Sequence, residues 1–313
     1  MNGPKRRNWS KWIALPVFAI AIYAINRVLG HYHWAEVVAH LRAIPLSVLL
    51  CAAGLSAASY FALSFYDLLG VRNAGGKLPW STVLTASFSA YAVAHNVGFA
   101  TLSGGSVRYR IYSKAGLSGM QVAQIIAFCT LTFALGALFL GGISLALRPE
   151  QAGVVFHLST GLTRFAGWAL TVLVITYVAT GTLRRKPLRV RGVEVKLPGV
   201  GVSLLQVLVA CLELGLAAGV LYVLMPPGTT GGYMAFVSLY LLAAAAGLIS
   251  TVPGGLGVFD SALLLLTPGE AADEKLAAIL AFRLVYYLAP FVLAVLLMIW
   301  HEARLVARSR LRG

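Results

Sequence analysis

Ser250-Thr251-Val252-Pro253-Gly254-Gly255-Leu256-Gly257-Val258-Phe259-Asp260 cuts an otherwise apolar stretch, residues 232–268, into two pieces. Proline lacks a backbone donor and glycine accepts positive φ, so a helix entering from either side stops here. The 11 residues 258–268 that follow would rise about 16 Å as a helix, roughly half of a ~30 Å hydrocarbon layer. The stretch therefore reads as a helix that dips into a bilayer, breaks, and returns to the face it came from. A second stretch, 80–102, matches it. Ser87, Ser89, His95 and Asn96 interrupt it, and it ends in Leu102-Ser103-Gly104-Gly105-Ser106.

Around these two hairpins lie six segments with the roughly 20 mostly apolar residues that a spanning helix needs: 12–29, 46–69, 119–147, 163–183, 201–225 and 276–300. Of the 313 residues, 59% are apolar and 11% charged, against about 25% charged in a soluble domain. So little charge cannot cover a water-facing surface, which excludes an ordinary soluble enzyme and a disordered chain. The apolar run Ile13 to Leu29 follows a basic start with no convincing cleavage site, and it reads as a retained span. Cys51, Cys129 and Cys211 stand apart inside apolar stretches, so neither a redox pair nor a metal cluster is expected, and no cofactor.

The net charge of +15 is a topology signal. With both termini cytoplasmic, 19 of the 25 Lys and Arg fall in the two tails and in 70–81, 103–118 and 184–198. Glu36, Glu150, Glu270, Asp273 and Glu274 fall on the other side. No nucleic-acid partner is implied. The flanks of 80–102 are basic and those of 232–268 are not, so the hairpins enter from opposite faces. Each half then reads span, span, hairpin, span. The expected fold is an all-α integral membrane protein with about six full spans and two re-entrant broken-helix hairpins. It forms one polytopic domain of two pseudo-repeats, about 1–155 and 156–313. Three crossings per half invert the second repeat, an architecture that places transporter sites near the midplane.

Ionisable groups inside spans cost ~2.5–3.5 kcal/mol each and are candidates for function. Glu213 sits mid-span with no partner at helical spacing, so it either serves function or pairs across helices, with Arg283 as the candidate cation. Asp67 is either a functional acid or an interfacial one. Arg108 follows Gly104 and Gly105 at the hairpin mouth, while Arg110 and Lys114 also suit anchoring at the cytoplasmic face. Gly254, Gly255 and Gly257 open a half-helix whose N–H groups could cradle a phosphate, with Arg108 reaching it from the other hairpin. Asp260 either joins that site or caps the half-helix. His95 and Asn96 either contact a head group or a proton, or His95 is a buried ring satisfied by a carbonyl. No catalytic or metal-binding motif stands out.

The run Phe88 to Ala100 followed by Gly104-Gly105-Ser106-Val107-Arg108-Tyr109-Arg110-Ile111-Tyr112-Ser113 resembles the flippase module of the lysylphosphatidylglycerol synthetase/flippase family, the bacterial multiple peptide resistance factors. Ser250 to Asp260 resembles that family's second signature, and Pro187 to Pro198 also fits. The resemblance covers about residues 10 to 305. It implies an inner-membrane protein that moves aminoacylated phosphatidylglycerol between leaflets, using Asp67, Arg108, Glu213 and, less centrally, Asp260. Full-length members carry a C-terminal synthase domain, and this sequence stops at Gly313, so synthase activity is not expected and a separate soluble synthase becomes a candidate partner. A homo-oligomer is a further candidate state. Two rival readings are an intramembrane lipid-modifying enzyme using His95 and a non-transporting scaffold for a synthase.

Overall fold

The computed structural model describes residues 34–310 apart from 98–99, 151–157, 184–187, 191–192, 196–197, 251, 268 and 270. The expected span 12–29 lies outside the described residues. Helices α1 (Trp34–Ala43) and α2 (Leu46–Asn73) lead into the pair α3 (Trp80–Val97) and α4 (Ala100–Lys114). Next come α5 (Gly119–Leu147), α6 (Thr160–Leu183) and α7 (Val200–Leu224). Between α6 and α7 the basic stretch forms a small antiparallel hairpin, β1 (Leu188–Val190) with β2 (Val193–Val195), in which Arg189 stands opposite Glu194. Then follow α8 (Tyr233–Ile249), a 3-10 turn at Pro253–Gly255, α9 (Val258–Leu266), α10 (Ala272–Phe282), a π-helical turn at Arg283–Leu288, and α11 (Ala289–Arg310).

Among the described residues, five helical stretches are long and apolar enough to cross a membrane: Leu46–Asn73, Gly119–Leu147, Thr160–Gly181, Val200–Leu224 and Ala272–Trp300. Each coincides with an expected span. Their outer faces stay apolar: Phe165 on α6 is 72% exposed and Ile299 on α11 is 61% exposed. Contiguous apolar surface of this kind suits lipid and not water. The chain is an all-α integral membrane protein.

The middle of the domain is α2 lying along α7, with α5 and α6 stacked beside them. Lipid tails are as apolar as leucine, so helices inside a bilayer associate through close packing and interhelical hydrogen bonds. Both occur here. Gln206 Nε2 donates to Thr132 Oγ1 (2.8 Å) and Tyr177 OH donates to Gln206 Oε1 (3.1 Å), which ties α7 to α5 and α6. A methyl group on Gly142 of α5 would lie 2.7 Å from Thr171 Oγ1 and 2.9 Å from the Gly167 carbonyl of α6, whereas Gly141 faces open space. Gly142→Leu is therefore expected to cost about 1–3 kcal/mol by overpacking, and Gly141→Leu almost nothing. Thermal unfolding in detergent compares them directly.

The first break differs from its expected place. α3 ends at Val97 and α4 begins at Ala100, so Gly104 and Gly105 lie inside a helix and the returning limb runs on to Lys114. The physical reason is packing. A Cβ on Gly104 would stand 2.9 Å from the Ala90 carbonyl of α3, so this glycine lets the two limbs touch instead of breaking one. The second break falls where expected, with Gly254, Gly255 and Gly257 all at positive φ (62°, 62° and 80°). Beyond it, α9 has nine residues, about 14 Å, too short to cross. Lys275 closes the far end of α9, donating to the Thr267 carbonyl (2.9 Å) and to that of Gly269.

Candidate functional site

One face of α2 carries Ser56, Ser59, Tyr60, Tyr66 and Asp67 at helical spacing. Asp67 is fully buried inside the protein (0% exposed). Its partner is Arg108, reached from α4. Nε donates to Oδ1 and Nη2 to Oδ2, both at 2.8 Å, and Tyr112 OH adds a 2.8 Å bond to Oδ1. The guanidinium lies 4.4 Å from the ring centre of Tyr91 on α3, so an aromatic face covers the cation. A planar fork on a carboxylate is the geometry that best compensates two charges taken out of water.

A second bidentate pair closes the other break. Arg283 Nη2 donates to Asp260 Oδ1 (2.7 Å) and Oδ2 (2.8 Å), and its Nη1 donates to the Gly254 carbonyl (3.2 Å). Asp260 also accepts the Gly257 N–H at 2.9 Å, so it caps α9 and anchors an arginine at once. The alternative in which Arg283 neutralises Glu213 is thereby corrected: Arg283 belongs to Asp260. Glu213 instead accepts from three hydroxyls, Ser59 Oγ (3.3 Å) and Tyr286 OH (3.1 Å) on Oε1 and Tyr66 OH (3.3 Å) on Oε2.

The two breaks meet. A Cβ on Gly254 would sit 3.2 Å from the carbonyl of His95, the end of α3 against the 3-10 turn. His95 Nδ1 and Tyr60 OH share a hydrogen bond at 3.2 Å, and the imidazole stacks on Tyr286 with ring centres 5.7 Å apart. A phenol, not the backbone carbonyl considered from the sequence, therefore satisfies this histidine. Asn96 Nδ2 donates to the Tyr287 carbonyl at 3.0 Å. Arg110 lies apart from this centre. It lines an open cleft of about 940 Å³ with Lys114, Ser81 and Thr85, opposite Met298 and Ile299 of α11.

No protein-family model matches the chain. Protein slr0712 of Synechocystis sp. is 38% identical over 276 residues, 88% of this chain and 85% of that protein. This chain belongs to the family of slr0712. Inner membrane protein YbhN of Escherichia coli is 29% identical over 292 residues, 92% of this chain and 91% of that one. Phosphatidylglycerol lysyltransferase of Staphylococcus aureus is 25% identical over 290 residues, which are 91% of this chain but 33% of the enzyme. The likeness inferred from the two Gly-Gly motifs thus holds: this chain resembles a module that makes up about a third of the lysyltransferase.

In this family member the structure assembles Asp67 with Arg108 and Asp260 with Arg283, and it places His95, Asn96 and Gly254 at the contact between the breaks. Arg108 does not face Gly254. The cation at that turn is Arg283. Reading the charges alone missed Tyr60, Tyr66, Tyr91, Tyr112 and Tyr286, the aromatic hydroxyls and faces that hold them. Two signals were available. Tyr60 and Tyr66 share the helical face of Ser59 and Asp67, and Pro290 stands four residues after Tyr286 within an otherwise unbroken span.

Proposed function

We propose that this protein moves a phospholipid, of the aminoacylated phosphatidylglycerol class or a close relative, between the leaflets of a bacterial inner membrane. The observation that supports this reading is the contact between two interrupted helix pairs, each fastened by its own Asp–Arg pair, the first buried and the second partly so. Non-helical backbone and ionised side chains persist at membrane depth only inside protein or along an aqueous path, and in transporters they mark the substrate site. The relatives point the same way, one named for a bacterial inner membrane and one for phosphatidylglycerol.

In this reading the chain is two inverted pseudo-repeats, 1–155 and 156–313, with both termini cytoplasmic and both broken pairs re-entrant. The central pair α2 and α7, the spans that precede each hairpin, lie at the interface of the repeats. The lipid phosphate binds at the glycine turn, Gly254 to Gly257, where Arg283 already stands, and exchanges with Asp67 for Arg108. Acids meet a cationic head group or a proton. Alternating tilt of the halves exposes the head group to either side while the acyl chains remain in lipid.

Vesicles holding purified protein and labelled phosphatidylglycerol, lysyl-phosphatidylglycerol or phosphatidylcholine test this. The first two lipids are expected to equilibrate between leaflets much faster than in protein-free vesicles, and Arg108→Gln is expected to abolish the gain. Equal rates with and without protein for every lipid would overturn the proposal.

A further inference from the structure

The last span contains Pro290, and its consequences reach the centre of the molecule. In a regular helix the N–H of residue 290 would bond the carbonyl of Tyr286. Proline has no N–H, and its ring crowds that carbonyl. The helix widens into the π turn Arg283–Leu288, a distortion that often sits at functional sites. Three successive carbonyls then accept side chains from other helices: Val285 from Ser56 Oγ (3.3 Å), Tyr286 from Tyr60 OH (3.2 Å) and Tyr287 from Asn96 Nδ2 (3.0 Å). The same turn projects Arg283 onto the second break and Tyr286 onto Glu213. Six residues therefore join α2, α3, α7, the 3-10 turn and α9.

Glu213 is the unusual member of this network. It is 4% exposed, and its bonded partners among the described residues are all neutral hydroxyls. The titratable groups that face it are Tyr60 and Tyr66 from α2, Tyr91 from α3, Tyr240 from α8, and Tyr286 and Tyr287 from the π turn. The nearby full charges are already closed into Asp67–Arg108 and Asp260–Arg283. Three hydroxyl donors already take most of the acceptor capacity of this buried carboxylate, which leaves it better suited to a proton than to an ammonium group. A proton needs no room.

We propose that Glu213 is the proton site of the transport cycle and that the π turn carries its protonation state to the helix break. This deepens the transport reading and rests on it. When a proton joins Oε1, that oxygen becomes a donor to Tyr286 OH, and the phenolic hydrogen must turn elsewhere. Ser59 Oγ, 2.9 Å from Tyr286 OH, is placed to accept it. No proton is created or lost within the ring beyond the one taken up. Tyr286 thereby exchanges its carboxylate partner for a serine, and the turn that also holds Arg283 against Gly254 feels the change. Loss of the proton reverses each step.

Two measurements separate this inference from the transport reading. In the first, infrared spectra of the purified protein are followed as pH falls. A carbonyl stretch of protonated carboxylic acid is expected to grow in, to be missing in Glu213→Gln, and to shift in Tyr286→Phe, which keeps the acid but removes one hydrogen bond. In the second, labelled phosphatidylglycerol is followed in vesicles under an imposed pH gradient. One-for-one coupling predicts about a tenfold leaflet asymmetry per pH unit, lost with a protonophore and lost in Glu213→Gln. Lipid movement that ignores the gradient, or a spectrum without a band assignable to Glu213, overturns the proton site. A normal titration of Glu213 with no movement of any lipid supports the proton site and overturns the transport reading instead.

Discussion

Asp67→Asn is expected to lower stability by about 3–5 kcal/mol, the cost of stripping one partner from a buried ion pair. Asn has the shape of Asp, so cavity formation contributes little. What changes is charge and donor count. Arg108 is 4% exposed, and both of its bonds to Asp67 are 2.8 Å. In the variant one carboxylate oxygen becomes an NH₂ group, which faces Nη2 or Nε donor to donor. The guanidinium keeps the face of Tyr91, but a desolvated cation–π contact supplies about 2 kcal/mol or somewhat more, against a desolvation cost of several kcal/mol for the unpaired ion. The double variant Asp67→Asn with Arg108→Gln removes both charges, so it is expected to recover more than half of the loss. Unfolding midpoints of the wild type, both singles and the double in one detergent give the coupling energy directly. A single variant within about 1 kcal/mol of wild type would mean that the pair behaves like a surface ion pair.

Spans and breaks were legible in the sequence because the bilayer imposes length and composition on them. The five described spans sit on expected segments, and the Pro-Gly-Gly break carries its own chemistry in Pro253, Gly254, Gly255 and Gly257. Gly104 and Gly105 misled for an equally physical reason. Glycine serves both chain reversal and close helix packing, and only the neighbouring Ala90 carbonyl tells which applies. The charged residues were legible as candidates, since an intramembrane charge needs a reason. Their pairing was not. Asp67 and Arg108 are 41 positions apart, and no local periodicity links them. The hydroxyl ring around Glu213 draws on α2, α7 and the π turn, and so becomes visible only when those elements are packed together. Pro290 was the overlooked clue, because one proline in a long apolar run reads as a kink before its freed carbonyls find partners.

Arg283→Lys is expected to abolish lipid movement although the charge is retained. Arginine uses three nitrogens here: Nε and Nη2 bond Asp260, and Nη1 bonds the Gly254 carbonyl at 3.2 Å. A lysine ammonium is a single point on a flexible stem and cannot reproduce a planar fork that reaches a carboxylate from one edge and a carbonyl from another. The groups are only partly buried, with side chains 15% and 11% exposed, so water takes up part of the deficit. A stability loss of about 1–3 kcal/mol follows, that of charged hydrogen bonds left unmade. The larger effect is local. Gly254 is held at φ 62° in a turn where, among the described residues, the Gly255 N–H bonds the Val252 carbonyl, and without the guanidinium it is expected to open. Hydrogen–deuterium exchange of peptides covering 250–260 is therefore expected to rise well before global unfolding, while peptides from α5 and α7 stay protected. Arg110→Lys, near the C-terminal end of α4 and away from the breaks, is expected to leave both exchange and transport near wild type. If Arg283→Lys moves lipid normally with an unchanged exchange pattern, the arginine fork does not hold the break, and the glycine turn keeps its shape through its own backbone.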